Sequence, residues 1–542
     1  MVTRAKAGIF KPKVYLATTE PTNVAQALEH KQWKQAMQAE YDALLKNCTW
    51  DLVSLPPDRK AITCKWIFKN KYSQDGSILR HKARLVARGF NQQPGLDYTD
   101  TFSPVVRPVS IRVVLAIAVS KGWPIHQIDV DNAFLNGDLK EEIYMLQPQG
   151  FHQGSPNTVC KLRKAIYGLK QAPRAWFQKL TLTLFRLGFI QAKSDNSLFI
   201  STSRTTSIYI LVYVDDVIIT SNSATAIRGL IQALHQYFPL KDLGRLHHFL
   251  GIEVHSDNAG GVHLSQTRYV TDILDRLNMS NARPVKTPMA PASKLTNDGT
   301  EACQDPSQYR SIVGALQYLT ITRPDIAYTV NKLCQFMHNP LDVHWKATKR
   351  LLRYLKGTLH HGLHYKKFTD TEIYAYCDSD WASDQEDLRS TSGNCVYLGS
   401  NIVSWMAKKQ KVVSRSSTEA EFRSMASLVA EIQYVQNLLS ELGHINKNQP
   451  LIWCDNQGAV LLSLNPVLHT RTKHFELDLW FIRERVAQGK IVVKHIPARL
   501  QVADLLTKAP STAIFLDLRD KLVVDRQSTL SLRGGKEDIG LV

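Results

Sequence analysis

Three aspartates lie within or directly after short apolar segments, although aspartate is disfavoured inside strands and is rarely buried without a partner. Asp129 ends an apolar stretch within residues 124–131, and Asp215 and Asp216 interrupt an apolar run at 208–220 that predicts a β-hairpin. Burying such carboxylates together costs on the order of several kcal/mol unless positive charge lies between them. Hard divalent cations supply that charge, and two of them ~4 Å apart stabilise the attacking and leaving oxygens of phosphoryl transfer. The alternative is an ordinary turn, because turns attract aspartate.

A second candidate for phosphate chemistry is the alternating basic segment at residues 81–89. On a strand, Lys82, Arg84 and Arg88 share one face, while the small and apolar residues between them share the other. Three cations on one strand face could cradle a triphosphate. The alternative is a solvated strand edge, which basic residues often form.

The segment 344–356 carries five basic residues and no acid, spaced to share one face of a helix. Such a face suits contact with a phosphate backbone, and its affinity would fall as salt rises. An ordinary solvated face is the alternative, and Lys408, Lys409 and Lys411 form a second, smaller basic group. The five residues are Lys346, Lys349, Arg350, Arg353 and Lys356.

The composition of the chain indicates a globular protein with a polyanionic partner. Its 542 residues suggest three or four domains, and a formal charge of +19 favours nucleic acid or an anionic surface as partner. No apolar run approaches the ~18 residues of a membrane span, and the start lacks a secretory signal. The eight cysteines form no CxxC pair, which argues against a zinc ribbon and indicates reduced thiols.

The elements that would position these residues can be read from periodicity. We expect helices at 33–46, 110–120, 163–190 and 306–356, and two strands within 61–90 joined by the turn Gln74-Asp75-Gly76. The predicted domains are a basic tail or linker, a first catalytic region, a connecting region, a strand-rich region and a C-terminal tail. Their boundaries are 1–30, 31–280, 281–370, 371–510 and 511–542.

Ten motifs in order make the pattern specific. The chain resembles the reverse transcriptase and ribonuclease H region of the Pol polyprotein of copia-type long-terminal-repeat retrotransposons, over about residues 31–510. The resemblance implies an α/β (α+β) fold: a fingers-palm-thumb hand, a connection and a ribonuclease H-like mixed sheet. Among the motifs are KARLVARGFNQQPGLDYTDTFSPV (82–105), IDVDNAFLNGDL (128–139), YGLKQAPRAWF (167–177), YVDD (213–216), YCDSDWASD (376–384), SRSSTEAEF (414–422), WCDNQGA (453–459) and HIPARLQVADLLTK (495–508).

The resemblance assigns roles in a polymerase site. Asp129 and Asp215 would hold the ions most directly, with Asp216 in support, and Asp131 competes with Asp129. Phe134 would exclude a ribose 2′-hydroxyl, with core packing as the alternative. Lys82, Arg84 and Arg88 would contact the triphosphate, Gln171 would lie beside the incoming nucleotide, and Lys241 near the pyrophosphate.

The resemblance also implies a ribonuclease H site built from Asp378, Glu421, Asp455 and Asp504. Glu419 competes with Glu421, but Ser416-x-x-Glu419 reads as a capping box, and Glu421 lies ~200° further around the helix. We therefore assign capping to Glu419 and metal binding to Glu421. Asp380 and Asp384 read as turn residues. His474, His495 and Arg499 have no assigned role.

The implied enzyme copies RNA, and then DNA, into DNA and cleaves the RNA of the hybrid. Its cofactors would be two Mg²⁺ ions per site, with Mn²⁺ as a substitute, and its partners an RNA template, a DNA primer, RNA–DNA hybrid and dNTPs, without a membrane. A homodimer or partnership with other Pol modules stays open, as does cytoplasmic, particle-associated copying with nuclear entry. Without protease, zinc-knuckle or integrase patterns, the chain resembles the C-terminal part of a Pol polyprotein. Two alternatives remain, a nucleic-acid-binding relic and a nuclease alone.

Overall fold

The computed structural model describes residues 20–72, 78–291, 295–297, 301–445, 448–465, 475–522 and 524–526. These residues form two compact units. Unit 1 contains the described part of Met1–Pro104 together with Val130–Leu187, and unit 2 contains Val105–Asp129 and the described part of Gly188–Val542. Among the described residues, no helix combines the length and apolar character needed to cross a membrane.

The helices include the segments expected at 33–46 and 110–120. They are α1 (Val24–Glu29), α2 (Lys31–Lys46), α3 (Pro108–Lys121), α4 (Ala172–Arg186), α5 (Ala224–His235), α6 (Thr267–Arg276), α7 (Pro306–Leu319), α8 (Ala327–Cys334), α9 (Asp342–Gly357), α10 (Ser417–Glu441), α11 (Gln457–Leu464), α12 (Glu476–Ala487) and α13 (Thr512–Lys521).

The strands are short and mostly antiparallel. They are β1 (Trp50–Ser54), β2 (Cys64–Tyr72), β3 (Ile78–Ala87), β4 (Ile125–Val130), β5 (Asp138–Met145), β6 (Thr158–Lys164), β7 (Ile190–Gln191), β8 (Leu198–Thr202), β9 (Ser207–Tyr213), β10 (Asp216–Ser221), β11 (Leu240–Arg245), β12 (His248–Phe249), β13 (Ile252–Ser256), β14 (Val262–Ser265), β15 (His361–Tyr365), β16 (Ile373–Asp380), β17 (Thr391–Leu398), β18 (Asn401–Lys409), β19 (Leu451–Cys454), β20 (Val492–His495) and β21 (Val524–Arg526).

Unit 1 contains a three-stranded sheet, β1-β6-β5, and the ribbon β2-β3. Its core includes Trp33, Met37 and Leu44 of α2 packed with Leu85 of β3. Gly168 has a φ of 93°, and a Cβ there would lie 2.0 Å from the carbonyl oxygen of Ala87. Only glycine allows this approach, which holds the 167–171 segment against the end of β3.

Unit 2 contains three sheets. A six-stranded sheet has the order β11-β4-β10-β9-β8-β7, and a five-stranded sheet has the order β12-β13-β14-β15-β21. The third, β18-β17-β16-β19-β20, is mixed, because β16 pairs parallel with β19, and β19 with β20. One hydrophobic core runs through the unit, from Val106 to Val524. The described residues therefore form a mixed α/β protein.

Two sequence expectations about elements are wrong. Residues 163–190 are not one helix, because β6 ends at Lys164 and α4 begins only at Ala172. The expected tail at 511–542 contains α13 and β21, and Val524 of β21 pairs with Leu363 of β15. The rest of that stretch, residue 523 and residues 527–542, lies outside the described residues, as do residues 1–19 of the predicted basic tail and the turn Gln74-Asp75-Gly76.

The other expected elements are confirmed, with one refinement. Helices cover 33–46 and 110–120, and two strands lie within 61–90. The segment 306–356 is helical but is divided into α7, α8 and α9.

Candidate active sites and nucleic-acid interface

The hairpin of β9 and β10 carries two of the predicted polymerase carboxylates at its tip. Tyr213 pairs with Asp216 across the hairpin, so that Val214 and Asp215 form the turn. β10 also pairs antiparallel with β4, and this register places Asp216 directly opposite Asp129. Directly opposed residues have Cβ atoms ~4.5–5.5 Å apart, so these two carboxylates are neighbours.

The hairpin tip concentrates negative charge. Burial raises the pKa of Asp216, and the charges of Asp215 and Asp129 raise it further, although a hydrogen bond from Gln127 opposes them. That bond runs from the Gln127 side-chain amide to a carboxylate oxygen of Asp216, at 3.1 Å. Among the described residues, the three carboxylates do not form one of the groups whose ligand atoms all lie within 4.8 Å of one another. Like charges repel, so such a tip gains from a cation.

Two further polymerase candidates follow β4 in the chain or lie in the six-stranded sheet. Asp131 follows β4 in a turn and is partly buried. Lys241 is exposed on β11, which is the neighbour of β4 in the six-stranded sheet. These positions neither establish nor remove the roles that the resemblance implies for them.

In unit 1, the basic strand alternates as expected. Ala83, Leu85 and Ala87 are buried, whereas Lys82 and Arg84 are partly exposed. Burial lowers the pKa of Lys82, and the neighbouring charge of Arg84 lowers it further. Arg88 is exposed but lies just beyond the end of β3.

An aromatic residue that sequence reasoning missed organises this part of unit 1. The Arg84 guanidinium lies over the ring of Tyr167, 4.5 Å from its centroid. The ring of Phe134 contacts the same tyrosine edge-on, with centroids 4.8 Å apart. The signal was available, because Tyr167 begins the motif YGLKQAP. Phe134 is partly buried and packs against the hydrophobic core of unit 1, a contact that the core-packing alternative expects.

The side-chain amide of Gln171 is already used inside unit 1. Gln171 is 3% exposed, accepts a hydrogen bond from Gln92 at 2.9 Å, and donates one to the carbonyl of Asp97 at 2.8 Å. Its own contacts therefore hold the loop before α4. A contact with an incoming nucleotide would have to use the same side chain.

Three of the four predicted ribonuclease H acids meet in one group. Asp378 lies in β16, Asp455 follows β19, and Asp504 lies in a short 3-10 helix, Val502–Leu506. One carboxylate oxygen from each lies within 4.8 Å of the others. Gly393, opposite Asp378 on β17, makes room for this helix, since a Cβ there would lie 2.6 Å from Thr507.

Burial and mutual repulsion dominate the electrostatics of this group. Burial raises the pKa of Asp455, and that of Asp504 to about 7, in both cases with a further contribution from the charge of Asp378. Lys508, which sequence reasoning missed, lies 2.8 Å from Asp504 and 3.7 Å from Asp378. Thr507 donates a hydrogen bond to Asp378. A lysine amid converging carboxylates shows that the group attracts cations.

Glu421 lies beside this group, among thiols. It forms a separate buried group with Cys377 and Cys454, whose ligand atoms also lie within 4.8 Å of one another. Burial raises the pKa of Glu421 well above its usual range, and the charge of Asp378 adds to this effect. One of its oxygens accepts a hydrogen bond from the backbone amide of Ser379 at 3.0 Å.

Glu419 has the structural contacts expected of a cap. Ser416 caps α10 by accepting a hydrogen bond from the Glu419 amide. The Glu419 carboxylate accepts a bond from the Arg415 amide at 2.7 Å and pairs with Arg423 at 2.8 Å. Two acids that are two residues apart therefore have different surroundings.

The other residues of this region have ordinary contacts. Asp384 lies in a loop, where it pairs with Lys332 and Lys409, but Asp380 ends β16 and is not in a turn. Burial raises the pKa of Asp380 to about 6. His495 is exposed on β20, Arg499 is exposed in a 3-10 helix, and His474 lies outside the described residues.

The basic face of α9 is partly engaged by the chain itself. Arg353 donates a hydrogen bond to the carbonyl of Arg283 at 2.7 Å, and Arg350 donates one to Thr287 at 2.8 Å. Lys346 pairs with Asp342 at 2.8 Å. Lys349 is exposed and lies over the ring of Trp345, and Lys356 is partly exposed.

Together, these features define a mixed α/β protein with carboxylates gathered at strand ends in two places, each suited to divalent cations. Residues 47–291 match the family model described as reverse transcriptase (RNA-dependent DNA polymerase). The chain belongs to the reverse transcriptase family, as part of the copia-type Pol polyproteins of retrotransposons.

Relatives support this assignment over nearly the whole chain. The retrovirus-related Pol polyprotein from transposon RE1 of Arabidopsis thaliana is 51% identical over 535 residues, covering 97% of this chain and 36% of the relative. The chain thus spans about a third of that protein. The putative transposon Ty5-1 protein of Saccharomyces cerevisiae is 33% identical over 308 residues, which are 56% of this chain and 100% of that protein.

A solved structure of a foamy viral protease-reverse transcriptase in complex with double-stranded DNA is similar to this chain. The similarity covers 86% of this chain and 70% of the viral chain. The identity is 10% and the TM-score 0.46.

Proposed function

We propose that this chain is an RNA-directed and DNA-directed DNA polymerase that also cleaves the RNA strand of RNA–DNA hybrids during retrotransposon copying. The observation that carries the proposal is the register of β4 and β10, which sets Asp129 opposite Asp216 at the tip that holds Asp215. Membership of the reverse transcriptase family supports the same conclusion. The finer architecture, a hand with fingers, palm and thumb, a connection and a ribonuclease H-like domain within the boundaries given above, is part of the proposal.

In the polymerase reaction, a primer 3′-hydroxyl would attack the α-phosphate of a dNTP, forming a phosphodiester bond, breaking the bond to the β-phosphate and releasing pyrophosphate. Asp129 and Asp215 would hold two Mg²⁺ ions, or Mn²⁺ in their place, which would supply positive charge to neutralise the charge developing on the phosphate. Gln127 orients Asp216, which supports the other two acids. Carboxylate oxygens are the ligands such ions prefer, so the residues present fit the cofactor.

The proposal also assigns contacts to the nucleotide. Lys82, Arg84 and Arg88 would bind the triphosphate, with Arg84 held in place by its contact with Tyr167. Phe134, which contacts the same tyrosine edge-on, would discriminate against ribose. Gln171 and Lys241 remain proposed contacts to the nucleotide and the pyrophosphate.

The second site would hydrolyse RNA. Asp378, Asp455 and Asp504 would hold Mg²⁺, with Glu421 beside them, and bound ions would supply an activated water. The raised pKa of Asp504, about 7, reflects burial without such an ion. Lys508 neutralises part of this charge when no ion is bound.

The proposed partners are an RNA template, a DNA primer, the hybrid and dNTPs, with homodimerisation or other Pol modules open. The basic face of α9, on which Lys349 is exposed, would contact the phosphate backbone. We place the reaction in a cytoplasmic particle, with nuclear entry of its product.

Primer extension on poly(rA)/oligo(dT) tests the polymerase proposal. The chain should incorporate dTTP with Mg²⁺, and Asp215→Asn should abolish incorporation while binding to primer-template is retained. Asp520→Asn, at an exposed acid on α13, is the matched control and should behave like the parent chain. Binding without any incorporation by the parent chain would instead identify a nucleic-acid-binding relic.

Cleavage of the RNA strand in a labelled hybrid tests the second activity separately. Asp455→Asn should abolish cleavage and leave primer extension intact. Cleavage that persists in this variant would contradict the assignment of the second site. RNA cleavage by a chain that never extends a primer would identify a nuclease alone.

A further inference from the structure

Two cysteines lie side by side beneath the second acidic group. β16 and β19 are parallel neighbours, and their register pairs Tyr376 with Trp453, so that Cys377 and Cys454 come next on the two strands. Both side chains are fully buried, and the Cys377 thiol donates a hydrogen bond to the carbonyl of Trp453 at 3.8 Å. The Cys454 sulfur lies 3.9 Å from a carboxylate oxygen of Glu421 on α10.

The donor atoms of this group differ in kind from those of the aspartate group. Two sulfurs and one oxygen, all within 4.8 Å of one another, suit a thiophilic ion such as Zn²⁺, whereas Mg²⁺ takes oxygen ligands. The other oxygen of Glu421 is held by the Ser379 amide, which leaves the oxygen that faces the thiols as the ligand. Neither cysteine has a role in the proposed reactions.

We propose that Cys377, Cys454 and Glu421 form a binding site for a thiophilic divalent cation of the Zn²⁺ class, adjoining the oxygen-only group of Asp378, Asp455 and Asp504. Binding replaces the two thiol protons, which pass to solvent, with two metal–sulfur bonds. Three protein ligands leave one tetrahedral position for water or another small ligand. No oxidant or reductant takes part.

The site would couple zinc to the second activity through the shared glutamate. An ion on the thiol side holds the Glu421 carboxylate there and adds positive charge beside Asp378. We therefore expect Zn²⁺ to inhibit RNA cleavage more strongly than primer extension. This consequence, unlike the binding itself, rests on the proposed function.

Cobalt titration tests the binding directly. The full chain, kept reduced with a phosphine and freed of metal, is titrated with Co²⁺, which gives a thiolate-to-cobalt charge-transfer band when cysteines are ligands. We expect the band to saturate at about one Co²⁺ per chain, to be bleached by Zn²⁺, and to survive excess Mg²⁺.

Variants with matched burial identify the ligands. Cys377→Ala and Cys454→Ala should each abolish the band, and Glu421→Gln should weaken Co²⁺ binding at least tenfold. Cys395→Ala is the control, because Cys395 is equally buried on β17 but lies outside the group, and it should keep the band. Circular dichroism checks that each variant folds, and Glu421→Gln, which keeps both thiols, tests the site even where a cysteine variant unfolds.

The proposal would be overturned by the absence of a charge-transfer band in the reduced parent chain, or by a band that persists in Cys377→Ala and Cys454→Ala. A band that is unchanged in Glu421→Gln would equally reject the three-ligand site. Asp504→Asn should bind Co²⁺ as the parent does, so cobalt binding and RNA cleavage can fail independently of each other.

Discussion

At the scale of single residues, Glu419 and Glu421 of α10 are two residues apart but have different contacts and different proposed roles. Glu419 accepts hydrogen bonds at the start of the helix and pairs with Arg423, whereas Glu421 faces the thiols and the aspartate group. Both side chains are buried, so burial does not distinguish them. Their partners distinguish them. An arginine and a backbone amide balance the charge of Glu419, whereas acids and thiols surround most of Glu421.

Neutral substitutions should therefore separate the two glutamates. Glu419→Gln should lower the free energy of unfolding by about 1–2 kcal/mol, because a capping acceptor and a buried partner of Arg423 are weakened, while RNA cleavage is retained. Glu421→Gln should abolish cleavage without loss of stability, since the raised pKa of its carboxyl shows that the charge is unfavourable there. Urea unfolding and hybrid cleavage measure the two effects. Equal destabilisation by both changes would contradict this division of roles.

At the scale of elements, β21 is attached to its sheet by a histidine between two carboxylates. His364 of β15 contacts Asp525 of β21 at 3.2 Å and Asp257 of the β13–β14 turn at 2.7 Å. Hydrogen bonds to Asp525 and Asp257 raise the pKa of His364 despite burial, and the pKa values of both acids are lowered. Lys366 also adds positive charge near Asp525, whereas burial lowers the pKa of His263 to about 4, so that this neighbour is neutral near pH 7.

This contact should make the attachment of β21 depend on pH. A histidine whose folded pKa is raised contributes stability that is complete below its unfolded value and is lost as pH rises through the folded value. Hydrogen-exchange protection of β15 and β21, corrected for intrinsic rates, should therefore fall between about pH 6 and about pH 8. His364→Gln should flatten this dependence, and His235→Gln, at an exposed histidine of α5, should not. Protection that rises across the same interval would contradict the assignment.

The basic face of α9 is a second element whose residues have different tasks. Arg350 and Arg353 are hydrogen bonded to the segment that contains Arg283 and Thr287, which fixes that segment along the helix. Lys349 is exposed, and its ammonium group lies over the ring of Trp345, 5.4 Å from the centroid. The sequence pattern predicted a common role for all five cations, because spacing does not reveal tertiary partners.

Alanine substitutions should distinguish the phosphate contacts from the structural ones. Lys349→Ala should weaken binding to primer-template and reduce the slope of log affinity against log salt by about one, with no change in melting temperature. Arg353→Ala should lower the melting temperature, because it frees the carbonyl of Arg283. Filter binding across a salt series, with thermal melts of the same samples, gives both values. An unchanged salt slope in Lys349→Ala would exclude that lysine from the interface.

At the scale of the whole molecule, the polymerase hairpin and the second acidic group belong to one unit with one core. The Arg112 guanidinium of α3 lies 3.6 Å from the ring centroid of Trp405 on β18. Tyr209 of β9 donates a hydrogen bond to the carbonyl of Leu442 at 2.6 Å, and Glu441 accepts bonds from the amides of Lys193 and Ser194. The half of unit 2 that contains the β9–β10 hairpin and the half that contains the second acidic group therefore stabilise each other.

A cavity in one half should consequently destabilise the other. Leu428→Ala, at a fully buried residue of α10, should cost about 2–5 kcal/mol and accelerate hydrogen exchange in the β9–β10 hairpin as well as in β16. Leu461→Ala, at an exposed leucine of α11, is the control and should change neither. Faster exchange confined to β16 and its neighbours would show that the halves unfold independently.

Local patterns predicted most elements of this fold, and distant pairings account for the errors. The hairpin was predictable because apolar arms flank Asp215 and Asp216, and α2 because its buried residues recur at helical spacing. β21 was missed because its three residues gain stability only by pairing with β15, far away in the chain. Short strands carry little intrinsic preference without their partners.

The candidate sites were predictable to a similar extent. The motifs selected Asp378, Asp455 and Asp504, which the fold brings together. The i,i+4 spacing of Asp504 and Lys508 could have indicated their ion pair, but local sequence did not reveal the contact of Lys508 with Asp378 or that of Tyr167 with Arg84. Those partners depend on tertiary packing. The thiols beside Glu421 were also invisible, because Cys377 and Cys454 meet only through the pairing of parallel strands.

The backbone conformation of Val214 predicts how the residue at this position should vary among copies of the element. Its φ is 57°, in the left-handed region, which costs a β-branched residue ~1–2 kcal/mol. A single-base change in a valine codon gives glycine, which would release that strain. Genomic copies under no constraint should therefore accumulate glycine and other residues at this codon, whereas copies that still multiply should retain a bulky side chain there. A comparison of this codon across insertions of different age would distinguish copies that still multiply from inactive ones.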